Sequence, residues 1–348
     1  MVQNKEKKNI LIIKPGAIGD LIHLTPVIRA LAVRYPGAHI SLVVGSRGTA
    51  TLFQYNPHVS ETIIYDKRGE HRSCRSLLKL WRRLRAGNYD LVLHFQRSNL
   101  KAWILSTAAY PCRVLVYHKA KKRVVHVVDN YLETIAPLNI VGQDRSPELY
   151  AGEDDEQFAK DLFNDNGFAG KIVIALNPGA SHLVNRWSPE QFAALADALA
   201  ERLAAAIIII GGTEDVALAE RIASATASKP LVLAGEMTLL QLASILKQCD
   251  ILVSGDTGPL HLATAVGTRV AALFGAADPA RTGPVGAGHR VIQAKGVACV
   301  PCRSRTCAGS QRLACMEKIS VKDVIDVVQD MVNMDGALES SKRGRVRS

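Results

Sequence analysis

The amino-acid sequence predicts an α/β protein made of two Rossmann-like, doubly wound domains. Short apolar runs of four or five residues, rich in Ile, Leu and Val, alternate with helix-period stretches along most of the chain. Such continuous runs suit parallel strands covered on both faces. Several end in glycine-containing turns that lead straight into a helix, the junction at which doubly wound sheets bind ligands. A length of 348 residues accommodates about two domains, and 48% hydrophobic against 22% charged residues supplies material for both cores.

The elements follow in order. Ile10–Ile13 reads as a strand, a helix runs from about Leu21 to Tyr35 and stops at Pro36-Gly37, and Ile40–Val44 is a second strand. This is a β-α-β unit, so the two strands pair in parallel. Further strands fall at Glu61–Tyr65 and Leu91–His94, with a helix at about Arg75–Leu84 between them. A polar, acidic stretch from Asp144 to Asp155 places the domain boundary between about 145 and 170. Beyond it, strands at Ile172–Leu176, Ala206–Ile210, Leu231–Leu233, Ile251–Ser254 and Val270–Phe274 alternate with helices.

Charge is unevenly placed. Residues 1–150 carry 23 Lys and Arg against 10 Asp and Glu, whereas residues 151–348 carry 20 against 22. The formal net charge of +11 therefore belongs to the first half. A one-sided basic field attracts anions such as nucleic acid, acidic lipid or a phosphorylated sugar. The absence of a base-stacking aromatic series or a nucleic-acid motif points away from nucleic acid. No apolar run is long enough for a signal peptide or a membrane span, so the expected location is cytoplasmic and the seven cysteines are expected reduced.

Four segments carry candidate chemistry. Ser254-Gly255-Asp256-Thr257-Gly258-Pro259-Leu260-His261 leaves a strand and opens a helix. Free N–H groups there, reinforced by the helix dipole, form an anion site to which His261 can add a donor. The plainer reading is a capped helix with Asp256 or Thr257 as cap. Lys14-Pro15-Gly16-Ala17-Ile18-Gly19-Asp20 joins the first strand to its helix, and Asp20 is either a capping carboxylate or a general base. Asn177-Pro178-Gly179-Ala180-Ser181, followed by Asn185-Arg186-Trp187-Ser188-Pro189, offers Ser181 and Arg186 to a phosphate or sugar, while Ser188 and Pro189 suit a helix start. Gly211-Gly212-Thr213-Glu214-Asp215 presents a carboxylate just past a strand, fit for a ribose hydroxyl or for a helix cap.

Taken together and in this order, these residues resemble the ADP-heptose:lipopolysaccharide heptosyltransferase family over about residues 9–330. The resemblance implies the GT-B arrangement, two Rossmann-like domains facing a cleft. It implies an acceptor-binding domain over 1–160, a nucleotide-sugar-binding domain over 165–325, and a C-terminal helix end with a basic tail over 326–348. The implied activity is inverting transfer of a heptose from ADP-heptose to the inner core of lipopolysaccharide, without a cofactor or metal; the sequence has no Asp-x-Asp motif. Asp20 matches the family's base, and Asp256, Thr257, Gly258 and His261 match its donor pyrophosphate and sugar contacts. Ser181 matches a hydroxyl residue near the phosphates, Asp215 an acidic residue on the ribose, and Met237 a residue lining the adenine pocket. One departure stands out. Many members carry Lys-x-Trp, with the lysine on the leaving diphosphate, and here that position is Asn185, beside Arg186.

The acceptor side is read from charge. Lys67, Arg68, Arg72, Arg75, Lys79, Arg82, Arg83 and Arg85 interleave with Leu77, Leu78, Leu80, Trp81 and Leu84, and a second basic group comprises Lys119, Lys121, Lys122 and Arg123. Arg72, Arg75, Lys121 and Arg123 are the expected contacts to an anionic glycolipid, with peripheral contact to the inner membrane. The alternative is that the apolar residues are core and the arginines merely solvated. Cys299, Cys302, Cys307 and Cys315 have a spacing compatible with a metal, but a structural loop with reduced or partly oxidised thiols is the preferred reading. Cys74, Cys112 and Cys249 are expected to be packing residues. Other readings are a different GT-B enzyme, namely a hexosyltransferase or a sugar-nucleotide epimerase, and a non-catalytic anion-binding protein.

Overall fold

The computed structural model describes residues 7–67, 69–96, 100–120, 123–307 and 312–345. The chain divides into two compact units, Met1–Gly152 and Glu153–Ser348.

The first unit is built on a five-stranded parallel sheet. Its strands are β1 (Asn9–Ile13), β2 (His39–Val44), β3 (Glu61–Ile64), β4 (Leu91–His94) and β5 (Arg113–Val116), in the order β3-β2-β1-β4-β5. Ile10–Ile13 are fully buried, as a central strand covered on both faces requires. The strand order reverses between β1 and β4, so the loops leaving those two strands flank the switch point. β5 was not foreseen: it is a short edge strand that opens on an exposed arginine and has no buried face to announce it. The expected helix over 21–35 is two helices, Ile18–Ile22 and Thr25–Arg34. Pro26 fits only the first turn of the second, and Thr25 Oγ1 donates to Ile22 O at 2.8 Å across the break.

The basic helix, Cys74–Ala86, starts at Ser73, whose hydroxyl accepts from Ser76 N. Its Leu80 and Leu84 are buried in the core, and Leu77 and Trp81 pack against it. Only Leu78 of the five apolar residues is exposed. The apolar face expected to suit a lipid surface is therefore occupied by the protein's own core, which removes more apolar area from water than a bilayer contact at one leucine would.

The second unit carries a six-stranded parallel sheet. Its strands are β6 (Val173–Asn177), β7 (Ala206–Ile209), β8 (Leu231–Val232), β9 (Ile251–Gly255), β10 (Arg269–Leu273) and β11 (Arg290–Ile292), ordered β11-β10-β9-β6-β7-β8. The sixth strand, again at an edge and again short, is an addition to the five read from the sequence. The helix Glu153–Asp165 packs on Leu239–Gln248, tied by Lys247 Nζ to Glu156 Oε1 at 2.7 Å. The division between the two units precedes this helix. Near the C-terminus, the helix Val321–Arg345 packs on Pro189–Leu203 and buries Val328 and Met331 in the second core. Among the described residues, no helix is long and apolar enough to cross a membrane.

Candidate functional site

In the second unit the strand order reverses between β6 and β9, and the strongest sequence motif leaves β9 there. The helix it opens, Gly258–Ala265, has Thr257 at the N-cap, yet no side chain caps it. The Thr257 hydroxyl is engaged elsewhere: Asn177 Nδ2, from the end of β6, donates to it at 3.0 Å and to Ser254 Oγ at 2.9 Å. The simple capped helix is thus not what forms, and the first-turn amides stay available to an anion. Asp256 is fixed beside them. Thr282 Oγ1 donates to its Oδ2 at 3.1 Å, and His261 Nε2 lies 3.4 Å from its Oδ1. His261 is buried, so its ring is placed by Asp256 rather than by solvent.

The remaining expected donor contacts sit on neighbouring strands. Asp256 to His261 follow β9, Ser181 follows β6, Asp215 follows β7 and Met237 follows β8, and these four strands are consecutive in the sheet. Residues spread over 80 positions of sequence are thereby lined along one sheet edge, spanning three strand spacings, about 14 Å. Ser181 is exposed there and Met237 half-buried. Asp215 is buried and accepts from Gly212 N at 3.2 Å, so its capping role is realised in the fold.

Asn185 and Arg186 are oriented differently from one another. Asn185 Nδ2 donates to Asp256 O at 3.3 Å, which braces the β9 loop. Arg186 Nε donates to Ala180 O at 2.8 Å and its Nη2 lies 3.5 Å from Asp215 Oδ1. The guanidinium thus ties the Ser181 loop to Asp215, and that carboxylate offsets part of the charge Arg186 could offer to a diphosphate.

In the first unit, Asp20 follows β1 at the switch point. It occupies the third position of the helix Ile18–Ile22, and its Oδ2 accepts from the Ala17 amide at 3.3 Å. It also accepts from Lys14 Nζ on Oδ2 at 3.0 Å and from the Tyr131 hydroxyl on Oδ1 at 3.0 Å. Its side chain is 40% exposed while that of Lys14 is 7% exposed. Asp20 therefore does part of a capping residue's work and still faces solvent. Sequence reasoning assigned no role to Tyr131, whose helix, Val127–Ile135, was not foreseen. Asn177 was quoted in its segment but given no role of its own, although a polar residue ending the apolar run Val173–Leu176 was a signal.

The basic residues divide. Arg72 and Arg75 are exposed. Arg83 pairs with Glu61 at 3.1 Å, and Arg85 donates to the carbonyls of Ala108 and Tyr110, so both serve the fold. Arg123 Nη2 binds Glu133 Oε2 at 2.6 Å. Arg68, Lys121, Lys122 and Arg347 lie outside the described residues. All seven cysteines are free thiols. Cys249 is buried, as expected of a packing residue, but Cys74 is exposed at the start of its helix. Burial, and then the thiols of Cys302, Cys299 and Cys307, push the Cys315 thiol up. Among the described residues no three His, Cys, Asp or Glu side chains are grouped to hold a metal ion.

The sequence profile of glycosyltransferase family 9 (heptosyltransferase) matches residues 77–312. Lipopolysaccharide heptosyltransferase 3 of Escherichia coli K12 is 26% identical over 280 residues, covering 75% of this chain and 80% of the relative. The crystal structure of the family 9 glycosyl transferase from Veillonella parvula superposes with a TM-score of 0.82 at 24% identity, over 94% of this chain and 98% of that one. E. coli ADP-heptose lps heptosyltransferase II does so with a TM-score of 0.76 at 22% identity, over 94% and 99%. With the profile spanning well over half of its length, the chain is a glycosyltransferase and belongs to family 9, the heptosyltransferases.

Proposed function

We propose that this glycosyltransferase moves a heptose from ADP-heptose to the inner core of lipopolysaccharide, inverting the anomeric configuration and using no cofactor. One observation carries the reading. The helix at 258–265 starts uncapped at the sheet's switch point, flanked by Asp256 and His261, and Asp215 and Met237, the contacts proposed here for the ribose and the adenine, follow β7 and β8 further along the same sheet. An extended nucleoside diphosphate sugar needs that succession of contacts. The substrates named for the relatives, ADP-heptose and lipopolysaccharide, supply the donor and acceptor of this proposal.

In the proposed reaction an acceptor hydroxyl attacks the anomeric carbon as the C–O bond to the diphosphate breaks and its electron pair leaves with the phosphate oxygen. Asp20 takes the hydroxyl proton. The amides of the 258–265 helix stabilise the charge that develops on the diphosphate, the largest expected term in such a site. Arg72, Arg75 and Arg123, with Lys121, bind the anionic glycolipid, and the exposed cations of the Cys74–Ala86 helix hold the enzyme at the cytoplasmic face of the inner membrane.

Asn185 favours a second reading, transfer of a different sugar, because a neutral amide bonded to Asp256 O stands where the family resemblance implies a lysine for the diphosphate. The test is incubation of purified protein with a deacylated inner-core acceptor and either ADP-heptose or a hexose nucleotide, with mass spectrometry of the product. A gain of one heptose from ADP-heptose is expected. Transfer only from the hexose donor would overturn the first reading in favour of the second.

A further inference from the structure

The three donors around Asp20 are not shared evenly between its oxygens. Oδ2 accepts from Lys14 Nζ at 3.0 Å and from the Ala17 amide at 3.3 Å, which uses both of its lone-pair directions. Among the described residues, Oδ1 accepts from the Tyr131 hydroxyl alone, at 3.0 Å. Tyr131 is itself rigidly held. It is 1% exposed and meets Phe95 and Tyr117 edge-to-face at 5.1 and 5.0 Å, while Lys14 Nζ sits 5.5 Å from its ring centre. Its helix packs on Thr25–Arg34, so a residue 111 positions away helps to set the rotamer of Asp20.

The geometry points to Tyr131 as the positioning residue for the reaction and to Oδ1 of Asp20 as the oxygen that receives the acceptor's proton. This rests on the reading of Asp20 as the base. The O–H bond of the acceptor breaks and its proton passes to the second lone pair of Oδ1, while the acceptor oxygen bonds to the anomeric carbon and the C–O bond to the diphosphate breaks, its electron pair leaving with the phosphate oxygen. Tyr131 keeps its own proton throughout and goes on donating to the other lone pair, so it orients the carboxylate without being consumed. Burial, and then the charge of Asp20, push the Tyr131 phenol well up, which keeps that proton in place over the working range.

The experiment measures kcat against pH, with donor and acceptor KM, for the full-length wild type, Tyr131→Phe, Lys14→Met and Asp20→Asn. Tyr131→Phe keeps the ring packing and removes one donor from the ionised carboxylate. Its kcat should fall about tenfold at neutral pH, with donor KM within about twofold of wild type. The acid limb of its profile should move to higher pH by about one unit, the equivalent of one hydrogen bond. Lys14→Met removes a donor and a charge from Oδ2 and should move the limb the same way, which keeps the test readable should the tyrosine variant fold poorly. A kcat lowered by the same factor at every pH, or left unchanged, overturns the positioning role. Asp20→Asn separates the two failures: wild-type kcat in that variant sinks the base itself, whereas a slow Asp20→Asn beside an unmoved Tyr131→Phe profile sinks only the role of Tyr131.

Discussion

Replacing Gly45 with alanine should slow catalysis through a loop that Gly45 does not belong to. Gly45 directly follows β2, and the loop leaving β1 crosses over it. A Cβ built at Gly45 would lie 2.1 Å from the Pro15 carbonyl oxygen and 3.1 Å from its carbon. Contacts below 3.0 Å are not sustained by real Cβ atoms, and the atoms met here are backbone, so the 15–17 segment must retreat by at least about 0.9 Å. Asp20 is bonded to Ala17 N and is carried by the helix that starts there, so its carboxylate moves with the loop. A misplacement of about 1 Å at a reacting group costs on the order of 10²-fold in rate. Gly45→Ala should therefore lower kcat by about two orders of magnitude while donor KM stays within about twofold, because the donor residues belong to the other unit. Steady-state kinetics with varied ADP-heptose reads both constants. A kcat within a factor of three of wild type would refute the chain of contacts from Gly45 to Asp20.

Other expectations test the donor unit and the buried phenol. Asn177→Ala removes the buried amide that donates to Ser254 and Thr257, and at about 1 kcal/mol per bond plus the cavity it should cost about 2–3 kcal/mol. A thermal melt of this variant should fall by about 5–10 °C, and donor KM should rise; an unchanged melt would show that the bridge between the β6 and β9 loops contributes little. Gly255→Ala places a Cβ 2.4 Å from the Asn185 carbonyl oxygen and should raise donor KM at least tenfold with acceptor KM unaffected, as titration of each substrate would show. For Tyr131, the folded phenol lies above its unfolded value because of burial first and the Asp20 charge second. Its contribution to stability is thus complete below about pH 10 and lost as pH rises through the folded value. Urea midpoints should fall more steeply between pH 9 and 11 for wild type than for Tyr131→Phe; parallel slopes would contradict it.

Part of this architecture was written in local patterns. Ile10–Ile13, Ile40–Val44 and Ile251–Val253 are so apolar that only strands covered on both faces accommodate them, and their alternation with helix-period stretches forces parallel crossovers. The glycine-bearing turns at 16–20, 177–181 and 255–258 marked where the ligand-binding edges would form, because a helix start exposes amides wherever it occurs. Edge strands β5 and β11 escaped notice because they are short and partly exposed, so neither length nor periodicity distinguishes them from loop.

What the sequence determined by itself was therefore the class of each element and the list of polar residues at strand ends. Which of those residues meet was decided only by the tertiary fold. Tyr131 reaches Asp20 across 111 positions, and Asn177 takes the Thr257 hydroxyl away from a capping role across 80. Leu77, Leu80, Trp81 and Leu84 of the Cys74–Ala86 helix turn to the core, and only Leu78 of its apolar residues stays exposed. The physical reason is one of range. Propensity and capping act within a turn or two of the chain, whereas a hydrogen bond between loops depends on strand order, and strand order is fixed by burying every apolar face at once.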